Sequence, residues 1–188
     1  MKSPHYFIVR PQKGVRYDAS KNLGGKDFIM SSSQEDHRFT NRIGIVVSTP
    51  VGYEGEIQEG DLVVVHHNVF RLYYDMKGIE RSSWNHYMDD IFMIEMDQLY
   101  LYKKESSIEW SAPRPYCFIR PILHKNEDGT MSTINVESEL NGIVEYIPEG
   151  EEVEKGDLVS FKPESEYEFN IDGVKLYRMK LKNLCLKI

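Results

Sequence analysis

The sequence predicts an all-β protein made of two tandem copies of one small antiparallel β-barrel, on three observations. Its apolar runs are short, rich in Val, Ile, Tyr and Phe, and separated by Gly, Pro, Asn and Asp, which is how strands and tight turns alternate in small β-proteins. A series of landmarks occurs twice in the same order, and self-similarity of this kind marks a duplicated structural unit. No segment shows the apolar spacing of an amphipathic helix.

Each copy opens on an apolar strand ending in Arg-Pro, Phe7-Ile8-Val9-Arg10-Pro11 in the first and Cys117-Phe118-Ile119-Arg120-Pro121 in the second. Gly44-Ile45-Val46 returns as Gly142-Ile143-Val144. Glu59-Gly60-Asp61-Leu62-Val63 returns as Lys155-Gly156-Asp157-Leu158-Val159, a Gly-Asp turn leading into a strand. The closing runs align Ile94, Met96, Gln98, Leu99 and Leu101 with Met179, Leu181, Asn183, Leu184 and Leu186. Between the copies, 105–114 carries Ser106, Ser107, Pro113 and several charges, the composition of a linker. The expected domains are therefore 1–104 and 115–188. Asp172-Gly173, set between Tyr167-Glu168-Phe169 and Val174-Lys175-Leu176, predicts a hairpin, because a two-residue turn there needs positive φ. Its counterpart in the first copy is expected around Lys77-Gly78, with 70–74 and 84–87 as arms. Strand alternation assigns Ile8, Val46, Leu62, Val64 and Leu99 to the first core, and Phe118, Val144, Leu158 and Leu184 to the second.

With 188 residues and 40% apolar content the chain can bury real cores. A formal net charge of −7 argues against nucleic-acid backbones and anionic membranes, which demand a surplus of Lys and Arg at the contact. A protein partner or small ligand fits better. The start, Met1-Lys2-Ser3-Pro4-His5, leads straight into a strand-like run, with no apolar stretch of signal-peptide or membrane-spanning length. A cytoplasmic location is expected, the host cytoplasm if the source is viral. Cys117 and Cys185 each sit in an apolar run and are expected to be buried thiols in a reducing compartment.

The copies differ most between their first and second landmarks, where Arg10 lies farther from Gly44 than Arg120 does from Gly142. The excess is 17–42, a polar, Gly- and Ser-bearing stretch expected to be mobile. It contains one apolar triplet, Phe28-Ile29-Met30, with Gly24-Gly25 shortly before and Ser31-Ser32-Ser33 directly after. Such a triplet either packs back on its own barrel or is buried by a partner. Burying three such side chains contributes about 5–8 kcal/mol gross, while ordering about eight loop residues costs roughly 1–2 kcal/mol each. One loop alone binds weakly, so useful affinity points to several loops acting together from a ring of identical subunits.

These features resemble the GroES-type co-chaperonins. In that family an early apolar strand precedes a mobile loop with a Gly-Gly pair and an apolar triplet, followed by a Gly-Glu/Ile-Val strand, a Gly-Asp turn into a strand, and a closing strand. The matching residues are 7–10, Gly24-Gly25 with Phe28-Ile29-Met30, Gly44-Ile45-Val46, Glu59-Gly60-Asp61-Leu62-Val63 and Asp97-Gln98-Leu99-Tyr100. The resemblance covers 5–104 and returns more weakly over 115–188. It implies GroES-like barrels, no cofactor, and a GroEL-type chaperonin ring as partner, contacted through Gly24, Gly25, Phe28, Ile29 and Met30. It further implies self-association into a seven-fold ring by edge-strand pairing, with Tyr6, Ile8 and Arg10 of one subunit near Leu99 and Leu101 of the next. The short interval between Val47 and Glu59 leaves no room for the family's roof hairpin, as in some phage-encoded co-chaperonins. The second copy offers only 126–139 in the loop position, without a Gly-Gly pair.

Enzyme readings find little support. His66-His67 and His86 suggest a metal site only weakly, since adjacent histidines on a strand point to opposite faces. Asp89-Asp90 reads as a solvated turn. There is no Gly-rich phosphate loop or nucleophile motif. The zinc alcohol dehydrogenases share the barrel, but their cysteine ligands and dinucleotide fingerprint are absent. The expectation is a non-enzymatic co-chaperonin. The alternative is a structural or adaptor protein, viral or cellular, that uses the barrels for ring or particle assembly without chaperonin contact.

Overall fold

Antiparallel pairing accounts for nearly every apolar run in the chain. The computed structural model describes residues 2–16, 20–23, 26–29, 40–171 except 126–134, and 173–188, with the backbone alone at 20–23, 26–29, 124–125 and 135–136. The protein is all-β, and among the described residues the helical elements are short 3-10 turns. Among the described residues no helix is long and apolar enough to cross a membrane. Two compact units divide between Glu109 and Trp110, inside the 105–114 segment that reads as a linker.

In the first unit the strands are β1 (Phe7–Pro11), β2 (Ser20–Leu23), β3 (Lys26–Ile29), β4 (Ile43–Ser48), β5 (Leu62–Val65), β6 (Leu72–Tyr74), β7 (Glu80–Ser82), β8 (His86–Met88), β9 (Ile91–Ile94) and β10 (Leu99–Lys103). Six form one sheet in the order β10-β5-β4-β1-β9-β8, while β2-β3 and β6-β7 are separate two-stranded hairpins. The second unit has β11 (Tyr116–Lys125), β12 (Asn135–Tyr146), β13 (Leu158–Phe161), β14 (Tyr167–Ile171), β15 (Val174–Lys180) and β16 (Leu184–Lys187). Its sheet runs β14-β15-β11-β12-β13-β16, which read from the other end is the order of the first.

The likeness extends to single hydrogen bonds. Val9 pairs with Val46 and Pro11 with Gly44, with a register shift after Ile8; Ile119 pairs with Val144 and Pro121 with Gly142, with the shift after Phe118. The Gly-Asp turns match as well. Gly60 and Gly156 adopt φ of +95° and +94°, a region that strains residues bearing a Cβ. Each donates its amide to the Val46 or Val144 carbonyl at 2.8 Å. The following aspartate carboxylate closes the turn, accepting from the Gln58 amide at 2.8 Å and from the Glu154 amide at 2.7 Å. Short-range turn chemistry therefore reproduces itself wherever the Gly-Asp pair recurs.

The cores sit where these strands cross, with a different choice of residues from the one alternation suggests. The first is built on Phe7, Val9, Val46, Val63, Val65, Phe70, Phe92, Ile94 and Leu99. Val46 and Leu99 are placed as expected. Ile8 and Val64 are buried but outside this cluster, and Leu62 is only half-buried. In the second unit Cys117, Ile119, Val144, Val159, Phe161 and Met179 form the cluster, with Leu184 packed against it. Phe118 is buried outside it, and Leu158 is half-buried. Phe7, Ile8 and Val9 are all buried, so period-two alternation carries no information there about which face meets the core.

The hairpin equivalence is also corrected. The counterpart of β14-β15 is β8-β9, turning at Asp89-Asp90 with Asp89 at φ +47°. The hairpin around Lys77-Gly78 is β6-β7, an insertion without an equivalent in the second unit, where only 162–166 joins β13 to β14.

Candidate partner-binding surface

The sequence directs attention to 17–42, and the structure builds its root. Arg16 ends the described segment after β1, and its guanidinium donates to the Phe70 carbonyl at 2.9 Å, the Ser82 hydroxyl at 2.9 Å and the Arg71 carbonyl at 3.0 Å. It also lies 5.0 Å from the centre of the Phe92 ring, within cation–π range. At the other end, the Asn41 amide donates to the Arg16 carbonyl at 2.9 Å. The Asn41 side chain donates to the Val15 carbonyl at 2.8 Å and accepts from the Ile43 amide at 2.9 Å. Both ends of the segment are therefore held together at its base, before the chain enters β4.

Within it, β2 and β3 pair as an antiparallel hairpin in which Lys21 faces Phe28 and Ser20 faces Ile29. Phe28 and Ile29 thus lie on a strand at the backbone level. Gly24, Gly25 and Met30 lie outside the described residues. In the second unit β11 and β12 pair on through Leu123–Glu137 to Lys125–Asn135, so 135–139 is strand rather than loop. Residues 126–134, including Met131 and Ile134, lie outside the described residues.

Sequence reasoning missed the apolar surface of the β6-β7 insertion. Met76 and, just after β7, Trp84 are wholly exposed, Tyr74 and Ile79 are exposed, and Tyr87 and Met88 are exposed on the following strand β8. The signal is present as Tyr74, Met76, Ile79 and Trp84 within a short, turn-rich stretch, of which the hairpin expectation takes only 70–74 and 84–87 as arms.

Of the residues expected at a subunit interface, Tyr6 and Arg10 are exposed, whereas Ile8, Leu99 and Leu101 are buried within the single chain. β1 is interior, paired with both β4 and β9, so its backbone groups are committed and it is no edge. β10 pairs only with β5 and is an edge of the hydrogen-bonded order.

His66 and His67 lie beyond β5, in a turn closed by the Val69 amide donating to the His66 carbonyl at 2.9 Å. Their rings stand 4.2 Å apart and do not point to opposite faces of a strand. Among the described residues no group of three or more His, Cys, Asp or Glu could hold a metal ion. Cys117 is buried and Cys185 is exposed, which corrects the expectation of two buried thiols: β16 is an edge strand with an outward face. Burial pushes the Cys117 thiol up to about 12, with the Glu151 charge adding to it.

Fold and surface together define an all-β protein of two internally repeated antiparallel units, the first carrying a rooted hairpin segment and an exposed apolar insertion. No family model matches the sequence, and no curated protein matches it.

Proposed function

We propose that this chain is a co-chaperonin: each unit is a GroES-like barrel, and the 17–42 segment of the first docks Phe28, Ile29 and Met30 into apolar grooves on a GroEL-type chaperonin ring. The ATPase belongs to that partner. The observation that carries the reading is the clamped root. A long segment whose ends are pinned by Arg16 and Asn41 can be presented to a partner without disturbing β1 or β4. In the second unit β11 and β12 pair from Leu123–Glu137 to Lys125–Asn135, and the reading places chaperonin contact on the first unit. Because single loops bind weakly, the chain acts as a ring of identical subunits. It works where chaperonins work, in the cytoplasm.

Chaperonin-dependent refolding of a denatured client tests the reading, comparing wild type with Ile29→Asp. Placing a charge in an apolar groove costs several kcal/mol per site, multiplied around a ring. Refolding assistance should be lost while circular dichroism is unchanged. Wild-type protein that neither binds nor assists a chaperonin would remove the proposal.

The alternative, assembly without chaperonin contact, is favoured by the exposed Leu186 and Ile188 at the β16 edge. A defined oligomer by native mass spectrometry with no effect on chaperonin refolding would select it.

A further inference from the structure

We infer that the cleft at the base of the β6-β7 insertion binds a small organic anion that carries a flat ring, with Arg71 taking the charge and Trp84 the ring. The site is independent of the co-chaperonin reading.

The cleft encloses about 330 Å³, and Asn68, Arg71, Tyr73, Trp84, Asn85 and Gln98 are among the residues that line it. That is the size of a small-molecule site. The insertion creates it: the second unit joins the equivalent strands by 162–166 alone, so the sheet can be built without these residues.

The charge in the cleft is uncompensated. None of the residues that line it is acidic. The Arg71 carbonyl accepts from Arg16 at 3.0 Å and from the Ser83 amide at 3.1 Å, which fixes the backbone from which the guanidinium extends. Its Nε is buried without a hydrogen-bond partner. A buried cationic donor without an acceptor is costly, and buried polar groups are otherwise nearly always bonded. The planar fork of a guanidinium matches a carboxylate or a phosphate. An adjoining cleft shares Trp84, Asn85 and Gln98 but is lined also by Glu95, so an anion is favoured on the Arg71 side.

The rest of the lining suits a ring. Trp84 is wholly exposed, although tryptophan is on average a well-buried residue, and Tyr73 beside it in the lining is half-buried. Aromatic faces of this kind favour a flat ring laid against them. The amide wall is preformed. Asn85 Nδ2 donates to Gln98 Oε1 at 2.7 Å and to the Met93 carbonyl at 2.7 Å, while Gln98 Nε2 donates back to Asn85 Oδ1 at 3.2 Å. A wall locked before the ligand arrives lowers the ordering cost of binding.

The test is isothermal titration calorimetry of wild type, Arg71→Gln and Trp84→Ala. The probes are adenosine monophosphate and benzoate, which join a ring to an anion, adenosine, which has the ring alone, and inorganic phosphate, which has the anion alone. Circular dichroism is recorded for each variant. The expected result is saturable binding of a ring-bearing anion by wild type, weakened at least tenfold in each variant and at least tenfold weaker for adenosine and for phosphate. Binding of adenosine monophosphate and not benzoate supports a phosphate ester as the ligand; the reverse supports a carboxylate. Should Arg71→Gln misfold, Trp84→Ala still decides, because a wholly exposed side chain is not needed for folding. The inference is overturned if neither ring-bearing anion binds, if adenosine or phosphate binds as tightly as they do, or if either folded variant keeps wild-type affinity.

Discussion

Arg16 donates from Nε to the Phe70 carbonyl across 2.9 Å, and this bond joins two insertions that lie far apart in sequence. Replacing Arg16 by Ala removes it together with the contacts to Arg71 and Ser82, leaving partly buried acceptors without a donor. At roughly 0.5–1.5 kcal/mol net for each of the three bonds, the loss should be about 1.5–4.5 kcal/mol. Urea unfolding followed by circular dichroism measures it. An unchanged midpoint would show that water replaces the guanidinium without cost.

Gly142 and Gly44 occupy equivalent places, but they should not tolerate a methyl equally. A Cβ at Gly142 would come within 2.3 Å of Ile119 Cγ2 and 2.8 Å of the Arg120 carbonyl oxygen. At Gly44 the nearest atoms are the Phe70 ring at 3.1 Å and the Arg10 carbonyl at 3.2 Å. Gly142→Ala should therefore destabilise by about 1–3 kcal/mol, as overpacking does, and Gly44→Ala by less. Thermal unfolding of the two variants decides the order.

The two thiols should react differently. Exposed Cys185 should be titrated by a disulfide reagent in the native protein, and buried Cys117 only after denaturation. Two thiols reacting natively at equal rates would contradict the buried placement. Because burial raises the Cys117 thiol from 9.0 to about 12, the folded state holds a proton that the unfolded chain releases. Stability should fall as pH rises from about 9 towards 12, and Cys117→Ser should shrink that slope.

On the acid side, the Glu154 amide and then the Lys187 ammonium, 2.6 Å away, hold the Asp157 carboxyl below its usual value. A depressed folded pKa gives stability that is present above the ordinary carboxylate range and lost as pH falls through the folded value. Asp157→Asn should flatten this limb of the stability profile below pH 4, read by acid unfolding.

Much of the fold is legible in the sequence because its signals are local. The Gly-Asp turns specify their own geometry, through positive φ at Gly60 and Gly156 and a carboxylate that caps the backbone amide three residues earlier. The paired landmarks therefore announce a duplication, and the turns fix where each strand begins. Core phase was less readable. In β1 and β5, successive residues are buried, and a run buried on both faces has no alternating pattern to read. The place of the insertion is hard to read for a related reason: Lys77-Gly78 is a good hairpin signal, but nothing local says whether a hairpin belongs to the main sheet or stands apart.

By itself the sequence determined the all-β class, the two copies, the turn positions and the segment between β1 and β4 as the chief difference between the copies. These follow from propensities and spacings that act over a few residues. Only the tertiary structure decided that β1 is interior and β10 an edge, that β8-β9 rather than β6-β7 repeats the Asp172-Gly173 hairpin, and that Cys185 is exposed. It alone brought Arg16 to Phe70, Arg71 and Ser82. Such facts depend on which strands meet across long sequence separations, a choice set by global packing and by the entropy of closing long loops, which no short window of residues records.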